Sequence, residues 1–137
     1  ISIWSQVHGH AAGVSPGPVA LIYSPILFQE PKATRVARHE ALVRIAGPVL
    51  GGKGFTLSAE ECPLGRYIWY SYASNANEDE VSSFRHMVLM TLRPPGLDPS
   101  AIEWDGRLFA GPFAQRDIWP VLPKLFTSLL RQIPVAD

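Results

Sequence analysis

The stretch from Trp104 to Pro134 restricts the possible folds more than any other part of the chain. Within it Ile118, Leu122, Leu125, Leu129 and Ile133 recur at the spacing of a single apolar helical face. Pro134 predicts where that helix stops, because proline lacks the backbone donor and its ring clashes with the preceding turn. Upstream, Ile102 to Ala110 reads as a strand carrying Trp104, followed by a Gly111-Pro112 break. A helix with one apolar face needs a partner layer to bury it, so this segment is expected to cover a sheet.

The rest of the sequence supplies that sheet. Arg66 to Ala73 is dense in aromatic and β-branched residues and predicts a strand. Ser83 to Leu92 alternates Phe84, His86, Val88, Met90 and Leu92 on one face with Arg85, Met87, Leu89 and Thr91 on the other. The polar link between these two strands, Asn75 to Glu80, is too short for a crossover helix, so they should pair antiparallel. Ile1 to His8, Val19 to Tyr23 and Phe55 to Ser58 read as further strands, separated by Gly- and Pro-rich breaks. Thr34 is the expected N-cap of a helix running to about Leu50. Its predicted inner face is Val36, His39, Val43, Ala46 and Leu50, widened by Leu42, Ile45 and Val49. Gly47-Pro48 should kink or shorten this helix, and Gly51, Gly52 and Gly54 should provide a left-handed stop. The expectation is one α+β domain over residues 1–137. It has a mostly antiparallel sheet of about five to six strands, with two helices packed on one face.

Composition excludes several function classes. Twelve basic residues balance twelve acidic ones, which leaves no electrostatic footprint for nucleic acid. With 47% apolar and only 18% charged residues, a packed core is expected rather than disorder. No apolar run is long enough for a transmembrane helix. Cys62 is the only cysteine, so neither an intrachain disulfide nor an all-cysteine metal site can form.

Each motif with chemical potential has a plainer explanation. His8 and His10 could chelate a metal if His39 or His86 converged on them, but surface or core-edge histidines are the expectation. Cys62, preceded by Glu60-Glu61, could pair with His39 as nucleophile and base, yet no third orienting group is evident. Gly51-Gly52-Lys53-Gly54 follows a predicted helix and precedes a strand, the reverse of a phosphate loop, and reads as a helix end. Glu78, Asp79 and Glu80 read as a solvated hairpin tip. No catalytic residue, cofactor or metal ligand is assigned. The aromatic group Tyr67, Trp69, Tyr70 and Tyr72 is the one functional candidate. Alternation sets Tyr67 and Trp69 on one face and Tyr70 and Tyr72 on the other, so one pair can pack under the helices and the other can form an interaction surface.

Three segments resemble a family, the small bacterial cell-envelope lipoproteins of the DUF4136 type. The run Ala41-Leu42 to Val49-Leu50-Gly51-Gly52-Lys53-Gly54-Phe55 is similar to that family's helix closing on a Gly-aromatic pair. Tyr67-Ile68-Trp69-Tyr70-Ser71-Tyr72 stands in the place of its alternating aromatic strand. Ile102-Glu103-Trp104-Asp105-Gly106, with the helix ending Leu129-Leu130-Arg131-Gln132-Ile133-Pro134, is similar to its closing strand and helix. Pro63-Leu64-Gly65-Arg66 departs from the family's usual Ala-Asp before the aromatic strand. The resemblance implies a periplasmic, outer-membrane-associated setting, with a lipid-bearing cysteine upstream of Ile1 and an unidentified protein or envelope component as partner. A start on Ile1-Ser2-Ile3-Trp4, without Met or leader, is what a mature form would show. The rival readings are a small-ligand carrier, with a pocket between the aromatic strand and the first helix, and an enzyme using His39, His86 or Cys62.

Overall fold

The computed structural model describes residues 2–9, 13–25, 30–58, 65–77, 80–96, 98 and 100–136. Along them run β1 (Ser2–Gly9), β2 (Pro18–Tyr23), α1 (Lys32–Gly52), β3 (Thr56–Leu57), β4 (Arg66–Asn77), β5 (Glu80–Arg93), β6 (Trp104–Phe113) and α2 (Leu122–Arg131). The strands form one six-stranded sheet in the order β1-β6-β5-β4-β2-β3. β1, β6, β5 and β4 are antiparallel neighbours, and β2 lies parallel to both β4 and β3. The α+β class and the mostly antiparallel sheet agree with the sequence reading. The parallel β2 follows from α1, a helical crossover long enough to return the chain to the same end of the sheet.

Alternation decides which side chains meet the helices. Ile68 and Tyr70 of β4, Val88, Met90 and Leu92 of β5, and Trp104, Leu108 and Ala110 of β6 join one core. The helices contribute Leu42, Ala46 and Leu50 from α1, and Leu122, Leu125, Phe126, Leu129 and Leu130 from α2. Each such leucine removed from water stabilises the fold by about 1.5–3 kcal/mol. Gly106 is what lets Trp104 lie flat along its own strand. A Cβ there would meet the indole ring at 2.7 Å and Leu129 Cδ1 at 3.0 Å. A second glycine fastens the chain ends: Gly13 turns at φ +82° beside Val135 and Ala136, while Val14 exchanges backbone hydrogen bonds with Pro134 and Ala136 at 2.7 and 2.9 Å.

Several expectations need correction. α1 starts at Lys32, not after a Thr34 cap, and Pro31 precedes it with no side-chain cap. Its buried stripe is the narrow set Leu42, Ala46 and Leu50, while Val36 points out and His39, Val43, Ile45 and Val49 are only half-buried. Residue 36 lies six positions before Leu42, about 120° around the helix from it. Pro48 neither ends nor shortens the helix. Pro48 and Arg44 are both exposed, so water can satisfy the carbonyl that proline leaves free. Gly51 and Gly52 are helical, and Gly54, at φ +90°, makes the left-handed turn alone. α2 begins at Leu122, with Val121 as its cap, so Ile118 lies ahead of the helix. Ile118 is still buried, held in the preceding turn by bonds from Val121 and Leu122 to its carbonyl. β6 continues through Gly111-Pro112 to Phe113, so that pair is no break.

Candidate functional site

Polar and aromatic groups converge where the start of α1 crosses β2 and β4. The Glu30 carboxylate, whose side chain is 3% exposed, accepts from Arg38 Nη1 at 2.7 Å and from the hydroxyls of Tyr23 and Tyr72. Arg38 is held from two further sides, with Asp117 Oδ1 3.5 Å from Nη2 and the Trp119 ring beneath the guanidinium at 5.1 Å. The Tyr23 ring packs against Tyr70 at 5.3 Å and Tyr72 at 5.2 Å. His39 stacks on Tyr70 with its ring only 3° from parallel, and its Nδ1 lies 2.7 Å from the Tyr70 hydroxyl. Phe126 of α2 meets Tyr70 edge-on at 5.2 Å.

The protonation states follow from this packing. Burial raises the phenol pKa of Tyr70 well above its ordinary value, and the neighbouring Tyr23 and Glu30 raise it further. Tyr72 is raised by burial and then by its hydrogen bond to Glu30, and Tyr23 is raised chiefly by burial. Burial lowers the pKa of His39, against the opposing charge of Glu40. The tyrosines are therefore neutral donors, and the neutral imidazole accepts from Tyr70 through Nδ1. This cluster fastens the segment leading into α1 to the sheet. At the interface between the aromatic strand and α1, where the rival carrier reading sets a pocket, His39 stacks on Tyr70.

His86 belongs to a second buried pair. It is 1% exposed, stacks on Phe113 at 4.6 Å, and its Nδ1 lies 2.7 Å from Ser74 Oγ on the adjacent strand. Burial lowers its pKa, opposed by Asp117 and a backbone bond at Gln115. A serine hydroxyl on a neutral imidazole has the form of a nucleophile and base. The ring is nevertheless buried, between Phe113 and Ser74.

The structure sorts the other candidates plainly. On the helix side of the sheet, Tyr70 is 2% exposed, while Tyr72 is half-buried with its hydroxyl on Glu30. Tyr67 and Trp69 lie half-buried on the face away from the helices. Arg93 sits over Trp69 at 5.3 Å on that face, and Arg85 sits over Trp4 at 5.3 Å, with Trp4 stacked on Phe109 at 5.7 Å. Lys53, from the glycine-rich turn, donates to the Ile133 carbonyl at 2.8 Å and thereby ties the end of α1 to the end of α2. His10, Glu60, Glu61, Cys62, Glu78 and Asp79 lie outside the described residues. Among the described residues no three His, Cys, Asp or Glu side chains gather as metal ligands. Also among them, no helix is long and apolar enough to cross a membrane. Sequence reasoning missed Tyr23, Glu30 and Arg38. One signal was available: Glu30-Pro31 places an acid at the positive end of a helix dipole.

No family model matches the sequence, and no curated protein does. Among solved structures the chain is similar to the PelC dodecamer from Paraburkholderia phytofirmans, crystallised in space group P6. The two are 12% identical, with a TM-score of 0.60, and the match covers 99% of this chain and 100% of that one. A single-substitution variant of the same dodecamer, in space group C2, gives 12% identity, a TM-score of 0.57 and the same coverage. At this identity the likeness speaks for the fold.

Proposed function

We propose that this chain is a non-enzymatic cell-envelope protein, periplasmic and outer-membrane-associated, that works as a subunit of a homo-oligomer. The observation that carries the reading is the end-to-end likeness to a chain crystallised as a dodecamer. The site chemistry is consistent with it. Glu30 is taken up by Arg38 and two tyrosines, and His39 by Tyr70, so these groups are spent on each other. The DUF4136-type resemblance adds the envelope setting and a lipid anchor upstream of Ile1.

Two measurements test this. Light scattering of the purified chain should give a mass several times 15.1 kDa, and a monomer at every concentration overturns the assembly reading. Membrane fractionation of the precursor in a Gram-negative host, followed by intact mass, should find an acylated N-terminal cysteine. An unmodified cytosolic protein overturns the envelope reading.

A further inference from the structure

Among the described residues, β1 is an edge strand with no other strand on its outer side. It pairs with β6 over its whole length, from Ser2 opposite Gly111 to Gly9 opposite Trp104, and its other side ends the sheet. Edge strands normally discourage pairing with charges, proline or bulges. Ser-Ile-Trp-Ser-Gln-Val-His-Gly contains no Lys, Arg, Asp, Glu or Pro, and its pairing with β6 has no register shift. Its apolar side chains are also left in the open: Ile3 is 51% exposed, Val7 42% and Trp4 39%. Ile3 and Val7 stand on the helix side of the sheet, opposite Ala110 and Gly106, but α2 packs over β5 and β6 and leaves them uncovered.

We infer that β1 is the contact through which a second copy of this chain extends the sheet, antiparallel, β1 against β1 about a two-fold axis at Ser5. The inference rests on the assembly reading above and names one of its contacts; a two-fold contact closes at two copies, so larger assemblies use a second surface as well. Symmetry picks the register. Two copies that share one continuous sheet must set residues of the same face opposite each other. Centred on Ser5, the pairing puts Ile3 opposite Val7 of the partner subunit twice over, so both exposed apolar residues are matched. Centred on Trp4, Ile3 would face serine, and centred on Gln6 it would face glycine. The Ser5 register also opposes Trp4 to glutamine, and it sets the two Trp4 rings on the diagonal where aromatic side chains still reach one another. With no charge on the strand, neither copy repels the other.

The test is register-selective crosslinking. In a Cys62→Ser background, Ser5→Cys places two thiols directly opposite, where strand geometry gives a Cα separation of about 4.5–5.5 Å, within the range a disulfide needs. Ile3→Cys lies on the same face of the same strand. Its two copies would be about 14 Å apart, four residues along the strand, and beyond bonding reach. Mild oxidation should convert Ser5→Cys to a covalent dimer of about twice 15.1 kDa and leave Ile3→Cys unlinked. Ser5→Lys, which sets like charges face to face, should weaken the association roughly tenfold or more. An oligomer in which the two cysteine variants crosslink equally, or neither does, overturns the β1 contact and leaves the assembly reading standing. A chain that stays monomeric at every concentration overturns both.

Discussion

Replacing Glu30 by glutamine should cost roughly 2–3 kcal/mol, and the sign of that cost should depend on Arg38. The substitution keeps the shape of the side chain and removes its charge. A glutamine oxygen can still accept from Tyr23 and Tyr72, so little is lost there. The loss falls on the 2.7 Å contact with Arg38, which would face an amide nitrogen instead of a carboxylate oxygen. Stranding one partner of a buried ion pair costs about 3–5 kcal/mol. Arg38 retains some solvent and has Asp117 within 3.5 Å, which lowers the figure to roughly 2–3 kcal/mol. For a domain of this size that corresponds to a fall in Tm of about 10 °C. In an Arg38→Met background the carboxylate itself is the stranded charge, so Glu30→Gln should there become neutral or stabilising. Urea unfolding of the four proteins in this cycle measures both numbers. A loss below about 0.5 kcal/mol in the wild-type background, or an equal loss in the Arg38→Met background, refutes the assignment of Glu30 and Arg38 as a coupled buried pair.

Other perturbations have equally definite outcomes. Leu125→Ala, inside the contact between α2 and the sheet, should destabilise by about 2–5 kcal/mol in urea unfolding, whereas a loss below about 0.5 kcal/mol would mean that α2 is not docked as described. Two glycine-to-alanine changes should differ in sign. Gly106→Ala forces a methyl into the Trp104 ring and should cost about 1–3 kcal/mol, while Gly51→Ala, in helical geometry near the end of α1 with open space beside it, should gain about 0.5–1 kcal/mol. Stability should fall on acidification. His39 and His86 both have folded pKa values below their ordinary 6.5, so the unfolded chain binds more protons as the pH drops through that value. Replacing both with glutamine should flatten the slope of unfolding free energy against pH just below 6.5, and an unchanged slope would count against two neutral buried imidazoles. At the alkaline end, Tyr70 and Tyr72 are raised above 10.0, so stability should decline as the pH rises past that value. Phenylalanine at both positions should reduce that decline to the share left by Tyr23, and an unchanged decline in alkaline unfolding would count against the two buried phenols.

The parts legible from sequence were those with a strong local period. β4 and β5 announce themselves by alternation, and the faces that alternation assigned to His86, Val88, Met90 and Leu92 are the faces found. The apolar series from Ile118 to Ile133 is buried at every position named, although only the middle of it is helical. What stayed illegible depends on contacts distant in sequence. Nothing local to Tyr23, Glu30 or Tyr72 says that they will meet, because β2 reaches β4 only after α1 has crossed between them. The narrow stripe of α1 was misread for a related reason. Apolar and polar residues are spread around α1 without one dominant face, so periodicity could not say that Val36 would face outwards while Leu42 faced in.

The pairing of β1 with β6 has a consequence for synthesis. Ser2 is paired across the sheet with Gly111, so β1 finds its place only after a long stretch of chain has followed it. Until some hundred further residues have followed, Ile3, Trp4 and Val7 have no strand to lie against. The growing chain therefore carries an uncharged apolar segment that has to wait for its partner strand. A chaperone that guards this segment should let go when Trp104 to Phe113 becomes available to pair with it.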